Sequence, residues 1–359
     1  MIQGAKKECQ KCGLPQGYPG IKFNREGICN YCIYFSLYRE RENIIKEKLK
    51  KEILELINRV KRKKYRNRYD CIVAYSGGKD SSFLLYYLKK KFRLKILAHV
   101  LDNGFVSPQA FKNIKIITRN LGIDYTITRP PMDVLRDIFV YALTEKIPYP
   151  KEILAMMSQV CAVCLGMVFG TTLNNAIDKK IPLMFVGFTP GQYPAVSLEN
   201  FLKVRSCIFL SDKVYKDDPL DIIKIIGDPV REKFGKRVEK FYFKSQYISS
   251  GMFVPKVFLP FHALLDYNEK AIIETISKIG WIRPHDTDAC STNCLINTLG
   301  NFACKKQLGY HPYIGELSHM VREGKMSVKG IKEATKIEVD SPTFFYSLEK
   351  LGLKRRKIR

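Results

Sequence analysis

The sequence is poor in several residue types, and each shortage narrows the class of protein. It contains one tryptophan and five histidines, and its 35 acidic residues are outnumbered by 61 lysines and arginines. No run of about 18 apolar residues occurs, so a membrane-spanning helix is not expected. The first residues, MIQGAKKECQKC, lack the apolar stretch of a signal peptide. We therefore expect a soluble cytoplasmic protein with no membrane partner.

Apolar residues, by contrast, are abundant enough for a buried core. Of the 359 residues, 46% are hydrophobic and 12% aromatic, which excludes wholesale disorder. At roughly 150 residues per domain, the length fits two domains or one large domain with appendages. The formal net charge of +26 favours a polyanionic partner such as RNA or DNA, although a general lysine bias would produce the same charge. Eleven cysteines in a reducing compartment predict metal or redox sites rather than disulfides.

The chain divides into four predicted segments. Between about 70 and 190, short apolar runs at 71–76, 95–101, 125–129 and 182–188 alternate with helical patterns. Such alternation predicts βαβ units, and hence a doubly wound α/β fold with a mostly parallel sheet. We assign a cysteine-rich ribbon to 1–35, a basic linker helix to 36–69, the α/β domain to 70–265 and a helical C-terminal region with a basic tail to 266–359.

A glycine-rich loop follows the first predicted strand and precedes a predicted helix. Two glycines let the backbone approach an anion, and the N–H groups at the start of the helix then point at it. Lys79 supplies a point charge for a phosphate, and Asp80 a ligand for Mg²⁺. An ordinary strand-to-helix turn is the alternative interpretation. The loop consists of Ser76, Gly77, Gly78, Lys79, Asp80, Ser81 and Ser82.

This loop, SGGKDS, resembles the signature of the PP-loop ATP pyrophosphatase superfamily. The resemblance implies that ATP binds at 76–82 and is cleaved between its α and β phosphates, with Lys79 and Asp80 in the catalytic machinery. The AMP moiety then activates a substrate oxygen, and a nitrogen or sulfur nucleophile displaces it. Asp102 and Asn103 follow the predicted strand at 95–101, where α/β sheets bind ligands, so nucleotide contacts and a simple loop cap are both open to them. The superfamily also suggests a homodimer.

Two Cys-x₂-Cys pairs at the N-terminus predict a metal site. Four thiolates at this spacing are typical of a tetrahedral, structural Zn²⁺ site, which would stabilise a segment too small to fold by burial alone. The ribbon resembles that of the N-acetyl sugar amidotransferases, and zinc ribbons also precede the PP-loop domain in the tRNA thiolation enzymes. The predicted ligands are Cys9, Cys12, Cys29 and Cys32.

A second group of cysteines lies farther along the chain. Cys161 and Cys164 are three residues apart on a predicted helix, and the segment DACSTNC at 288–294 contributes Cys290 and Cys294. The residue types leave three interpretations open: an iron–sulfur cluster, a second zinc site, or thiols buried as small apolar groups.

The order of ribbon, loop, CxxC pair and later cysteine resembles the iron–sulfur-dependent tRNA 2-thiouridine and 2-thiocytidine synthetases. This resemblance implies a [4Fe-4S] cluster held by Cys161, Cys164 and Cys290, with the fourth iron open to sulfide. Cys294 would be an alternative ligand or an acid–base and persulfide group. The implied activity is ATP-dependent sulfur transfer to a tRNA base, with a sulfur donor that the sequence does not identify.

Two departures keep an alternative open. Gly187–Tyr193 replaces a Gly-His-Asn-x-Asp-Asp type segment of the thiolation enzymes, and residues 315–334 are similar to the C-terminal part of the sugar amidotransferases. The alternative enzyme is an amidotransferase that acts on an N-acetyl sugar or nucleotide sugar, with ammonia from a separate glutaminase. A non-catalytic RNA-binding module that keeps ATP binding for regulation is a third hypothesis.

The remaining histidines and cysteines carry weaker predictions. His285, five residues before Cys290, is the best histidine candidate for a general acid or base. Cys207 and Cys304 have no partner at ligand spacing, and Cys71 opens the first predicted core strand. All three are expected to be structural.

Overall fold

The structure is a computed structural model, and it describes residues 7–62, 68–189, 219–243, 253–258, 260–262 and 264–358. Its centre is a parallel β-sheet with strands in the order β3-β2-β1-β4-β5. Neighbouring strands align Cys71 with Ile96 and with Leu183, and Leu97 with Asp124. The strands are β1 (Cys71–Ala74), β2 (Ile96–Leu101), β3 (Asp124–Thr128), β4 (Leu183–Val186) and β5 (Lys256–Phe258).

The strand order places a crevice above the middle of the sheet. The chain moves outward from β1 to β2 and β3, then crosses to the other side of β1 to form β4 and β5. The loops after β1 and β4 therefore leave the sheet in opposite directions at adjacent positions. Open α/β sheets bind ligands at this point, outside the carboxyl ends of the strands.

Helices cover both faces of the sheet, which confirms the predicted doubly wound α/β fold. One buried cluster joins the sheet to α4, α6, α7, α9 and α12, and a second joins it to α1, α2, α3 and α8. The described helices are α1 (Asn30–Arg62), α2 (Lys79–Phe92), α3 (Pro108–Leu121), α4 (Met132–Thr144), α5 (Lys151–Met156), α6 (Gln159–Asp178), α7 (Pro219–Phe234), α8 (Glu269–Ser277), α9 (Asn297–Leu308), α10 (Ile314–Arg322), α11 (Val328–Ala334) and α12 (Pro342–Leu351).

Helix α6 is the central helix on its face of the sheet. Two glycines let neighbouring chain approach it: a Cβ on Gly170 would lie 2.5 Å from the Phe241 carbonyl oxygen, and one on Gly166 would lie 2.6 Å from the Tyr242 ring. Among the described residues, α6 is the one helix long and apolar enough to cross a membrane by length and composition. Because 67% of that stretch is buried inside the protein, its apolar character is explained by packing in the core.

The C-terminal helices complete the core instead of standing apart from it. Leu295, Leu299 and Phe344 belong to the cluster under α6. The N-terminal ribbon packs against α10 and α11, with Tyr18 in contact with the ring of Tyr310. The boundaries proposed from the sequence at 35, 69 and 265 remain predictions.

Helix α1 begins earlier than the sequence pattern indicates, because Asn30 and Cys32 of the second knuckle already belong to its first turn. Ile53 and Ile57 of this helix are buried, but Ile44 is 70% exposed. Helix α1 therefore packs on the core through Ile53 and Ile57 in its C-terminal half. The end of the basic stretch, 63–67, lies outside the described residues.

Candidate nucleotide and metal sites

The predicted phosphate loop lies at the crevice, between the end of β1 and the start of α2. Gly77 has a φ of +78°, and a Cβ there would lie 2.5 Å from the Ala110 carbonyl oxygen of α3. Gly187, at the end of β4, leaves room for the first turn of α2, since its Cβ would lie 3.3 Å from the Ser81 backbone. The two glycines thus let three segments of backbone converge where the N–H groups of α2 begin.

Lys79 and Asp80 form a partly buried ion pair beside this loop. Lys79 Nζ lies 2.9 Å from Asp80 Oδ2 and donates a hydrogen bond of 2.7 Å to the Tyr267 hydroxyl. Burial lowers the pKa of Lys79, but the Asp80 carboxylate and then Tyr267 raise it above its usual range. Lys79 therefore remains a cation at the loop. Tyr267 had no signal in the sequence that distinguishes it from a core tyrosine.

The cysteine-bearing segment at 288–294 contacts the loop directly. The backbone N–H of Lys79 donates to Thr292 Oγ1 at 3.0 Å. The segment is also tied to the chain that follows β2, because Ser107 N donates to the Asn293 carbonyl at 2.9 Å and Leu295 N to the Phe105 carbonyl at 2.8 Å. Two backbone hydrogen bonds and one loop contact thus hold these residues against the predicted phosphate loop.

A partly buried carboxylate, that of Asp288, organises the same segment. Asp288 Oδ1 accepts the Cys290 N–H at 2.8 Å, and Asp288 Oδ2 accepts from Asn297 Nδ2 at 2.8 Å and from the Thr298 hydroxyl at 3.2 Å. Burial raises the pKa of Asp288, while these hydrogen bonds lower it. The aspartate therefore joins the segment to the first turn of α9.

One cavity of about 270 Å³ is lined both by residues of the loop and by three of the four cysteines of the second group. Its walls include Ser76, Gly78 and the first residues of α2 on one side. On another side its lining includes Cys161, Cys164 and Cys294. The cavity thus brings the predicted phosphate loop and three thiols to a single space.

Cys290 occupies a different position from Cys294. It is absent from the described residues that line the cavity, and its Sγ lies 3.3 Å from the Ala334 carbonyl oxygen of α11. Cys294, by contrast, lies with the CxxC pair, because Asn103 Nδ2 is 3.3 Å from Cys164 Sγ and 3.8 Å from Cys294 Sγ. The structure therefore brings together Cys161, Cys164 and Cys294, whereas the resemblance places Cys290 with the pair.

The surroundings of the three cavity thiols favour their neutral, protonated form. Burial raises the pKa of Cys164 to about 12 and raises those of Cys161 and Cys294 as well. Hydrogen bonding to Asn103 lowers the pKa of Cys164 and of Cys294 against this trend. A bound metal would be needed to hold all three as thiolates at neutral pH.

Asp102 has structural partners, whereas His285 lies apart from the cavity. Asp102 Oδ2 accepts from Arg129 at 2.8 Å, and Asp102 Oδ1 accepts the Gly104 N–H at 3.0 Å, which is the arrangement of a loop cap. His285 is exposed and, among the described residues, is not part of the cavity lining. Of the predicted structural cysteines, Cys71 and Cys304 are buried, and Cys207 lies outside the described residues.

Glu316 on α10 is a residue that the sequence did not single out. Its carboxylate accepts a hydrogen bond from the Thr189 hydroxyl. Burial is the main cause that raises the pKa of Glu316 to about 7. The hydrogen bond from Thr189 and the charge of Lys79 lower this pKa, whereas the charges of Asp80 and Glu269 raise it. A carboxyl group that titrates near neutral pH therefore lies close to the charged residues of the loop.

The four N-terminal cysteines form a group suited to one metal ion. Their sulfur atoms all lie within 4.8 Å of one another, with 3.8 Å between Cys9 and Cys32 and 3.6 Å between Cys12 and Cys29. Thiolates about 2.3 Å from a tetrahedral zinc lie about 3.8 Å apart, so the spacing fits. Arg322 Nη1 donates to Cys12 Sγ at 3.4 Å, and hydrogen bonds from Cys29 and Cys32, together with Arg322, lower the pKa of Cys12.

The chain shows limited similarity to known proteins. No protein-family model matches it. It is 34% identical over 118 residues to an uncharacterized protein of Methanocaldococcus jannaschii, MJ1599, an alignment that covers 33% of this chain and 40% of that protein. The chain thus spans less than half the length of this curated relative.

Two solved structures are similar over more of the chain. The U34-tRNA thiolase NcsA from Methanococcus maripaludis, solved with its [4Fe-4S] cluster, matches at a TM-score of 0.35 and 17% identity, covering 94% of this chain and 92% of that chain. The NH₃-dependent NAD synthetase from Campylobacter jejuni matches at a TM-score of 0.28 and 12% identity, covering 58% and 81%. Because both TM-scores are below 0.5, these likenesses do not establish the fold class. The strand order and the position of the loop establish it.

Proposed function

We propose that the protein is an ATP-dependent sulfurtransferase, and that its substrate is a base of tRNA. The observation that carries the proposal is one cavity that both the loop and three cysteines line. The loop contributes Ser76 and Gly78–Ser81, and the cysteines are Cys161, Cys164 and Cys294. ATP alone requires the loop but not the thiols. Three cysteines that open to a nucleotide site are the donor set for sulfur chemistry.

The chain's own residues supply the activation step. The N–H groups at the start of α2 and the positive end of its dipole bind the phosphates, and the Lys79 cation balances their charge. Asp80, which forms an ion pair with Lys79, would hold Mg²⁺. The substrate carbonyl oxygen attacks the α-phosphorus, pyrophosphate leaves, and the oxygen later departs with AMP when sulfide attacks the carbon.

The cavity cysteines fit an iron–sulfur cluster, and the N-terminal group fits zinc. Cys161, Cys164 and Cys294 would hold a [4Fe-4S] cluster, and a cluster with three protein ligands supplies an iron open to sulfide. Among the described residues, the sulfur atoms of the three cavity cysteines do not lie as close together as those of the four ribbon cysteines. This wider spacing favours a multinuclear cluster over a second single ion. Cys294 replaces Cys290 in this ligand set because Asn103 contacts both Cys164 and Cys294.

RNA as the substrate is supported by charge. The chain carries a formal net charge of +26, which would attract the phosphate backbone without reading sequence. The physiological sulfur donor is any source of sulfide that reaches the cavity.

The test is anaerobic purification followed by metal analysis and tRNA assays. We expect about four irons, four sulfides and one zinc per chain, and thiolated nucleosides in tRNA after incubation with ATP and sulfide. Cys161→Ala and Cys294→Ala should lose the iron and the thiolation, whereas Cys290→Ala and Cys304→Ala should retain iron. If the wild-type protein contains one zinc and no iron, and if Cys161→Ala keeps full activity, the results would favour the amidotransferase. Two zincs and no iron would make the second cysteine group structural.

A further inference from the structure

We infer that Asn103 is a positioning residue for the second cysteine group, and that its amide holds the Cys164 and Cys294 sulfurs together and sets the electronic properties of the group bound there. This inference rests on the proposed function. It concerns a residue that follows β2, on a part of the chain remote in sequence from both cysteines.

The orientation of the Asn103 amide is determined by its own backbone. Asn103 Oδ1 accepts the Phe105 N–H at 2.9 Å. The oxygen must face that N–H, because a flipped amide would point two donors at each other. Nδ2 therefore faces the cysteines, where it lies 3.3 Å from Cys164 Sγ and 3.8 Å from Cys294 Sγ.

An amide suits this role better than a charged donor. Asn103 is 6% exposed, so its hydrogen bonds are protected from competition with water. Its two N–H groups match two sulfur acceptors, and it adds no charge and no competing strong ligand. Hydrogen bonds to thiolate ligands orient them and raise the reduction potential of an iron–sulfur centre.

The residue also links the two halves of the site. Cys164 belongs to α6 and Cys294 to the segment that contacts Lys79 through Thr292. The Asn103 side chain thus bridges the helix bearing the CxxC pair and the segment that contacts the loop.

The decisive variant is Asn103→Asp, which keeps the shape and the acceptor for Phe105 but directs a carboxylate at the two sulfurs. Asn103→Ala removes the donors without adding charge. The matched control is Asn113→Asp, because Asn113 is also buried and donates at 2.7 Å to a backbone carbonyl, that of Ile282. All variants are prepared anaerobically as full chains, and circular dichroism and zinc content report whether each has folded.

The readouts are the midpoint potential, the visible absorption spectrum and the rate at which a chelator removes iron. We expect Asn103→Asp to lower the potential, shift the sulfur-to-iron absorption and lose iron about tenfold faster than wild type, with a smaller effect in Asn103→Ala. Asn113→Asp should match wild type in potential and spectrum. If wild type loads iron and folded Asn103→Asp behaves like Asn113→Asp, the role of Asn103 is refuted while the function stands. If wild type loads no iron, both proposals fail.

Discussion

The backbone N–H of Lys79 donates a hydrogen bond to the Thr292 hydroxyl, with 3.0 Å between N and Oγ1, across 213 residues of sequence. A Cβ at the adjacent Gly78 would lie 2.9 Å from the same oxygen. The group that a phosphate needs at the start of α2 is therefore already bonded to the segment that carries Cys294. On the proposed function, nucleotide binding and the position of this segment would be linked through one hydroxyl.

The first prediction concerns that hydroxyl. If Thr292 competes with phosphate for the Lys79 N–H, Thr292→Ala should tighten the binding of a non-hydrolysable ATP analogue by about three- to tenfold, since a net hydrogen bond contributes about 0.5–1.5 kcal/mol. Isothermal titration calorimetry measures this. Thr287→Ala is the control, because the Thr287 hydroxyl donates to the Ser291 carbonyl within the same segment. Weaker binding in Thr292→Ala would show that the hydroxyl is itself a phosphate contact.

The second prediction concerns the close approach at Gly77. Gly77→Ala combines a φ of +78° with a Cβ 2.5 Å from the Ala110 carbonyl oxygen. Gly122→Ala is the matched control, because its φ is +59° but a Cβ there would meet no heavy atom within 4 Å. We expect a loss of about 1–2 kcal/mol in the free energy of unfolding for Gly122→Ala from backbone strain alone, and a larger loss for Gly77→Ala. Urea unfolding and ATP binding are measured for both variants. Equal losses in the free energy of unfolding would show that the contact of Gly77→Ala with α3 relaxes without cost.

The third prediction concerns the N-terminal cysteine group. Cys12→Ser should abolish binding of one zinc per chain and lower the melting temperature, because the ribbon packs Leu14 and Tyr18 against Tyr310 and Ile314. Cys304→Ser is the control, since Cys304 is buried but lies outside the group of four. Elemental analysis and differential scanning fluorimetry provide the readouts. Retention of zinc in Cys12→Ser would remove this residue from the ligand set.

The fourth prediction concerns the pH dependence of stability. Burial raises the pKa of Glu316 from its ordinary 4.5 to about 7, so the folded state binds more protons than the unfolded state in this window. The free energy of unfolding should therefore fall as pH rises from about 4.5 to about 7, by at most about 3 kcal/mol. Glu316→Gln should flatten this part of the profile. Glu274→Gln is the control, because Glu274 is exposed, and it should leave the profile unchanged. An unchanged profile in Glu316→Gln would show that another group causes the pH dependence.

Local patterns were sufficient for the fold class and for two parts of the site. The alternation of apolar runs with helical patterns predicts the sheet, because a parallel strand buried on both faces is continuously apolar. The SGGKDSS loop and each Cys-x₂-Cys pair are short-range features, so a few consecutive residues are enough to predict them. The sequence also identified the CxxC pair on a helix, now seen as the first turns of α6.

The tertiary structure decided how distant segments meet. Spacing could not choose between Cys290 and Cys294, four residues apart, because the choice depends on the turn that Asp288 holds and on the backbone pairing of 293–295 with 105–107. It could not assign Tyr267 to Lys79, nor Asn103 to the cysteines, since these partners lie on different elements. The sequence by itself determined which chemical groups the protein possesses and the local turns that present them, because those follow from neighbouring residues. Only the packing of the chain around the crevice of the sheet decided which groups share one cavity.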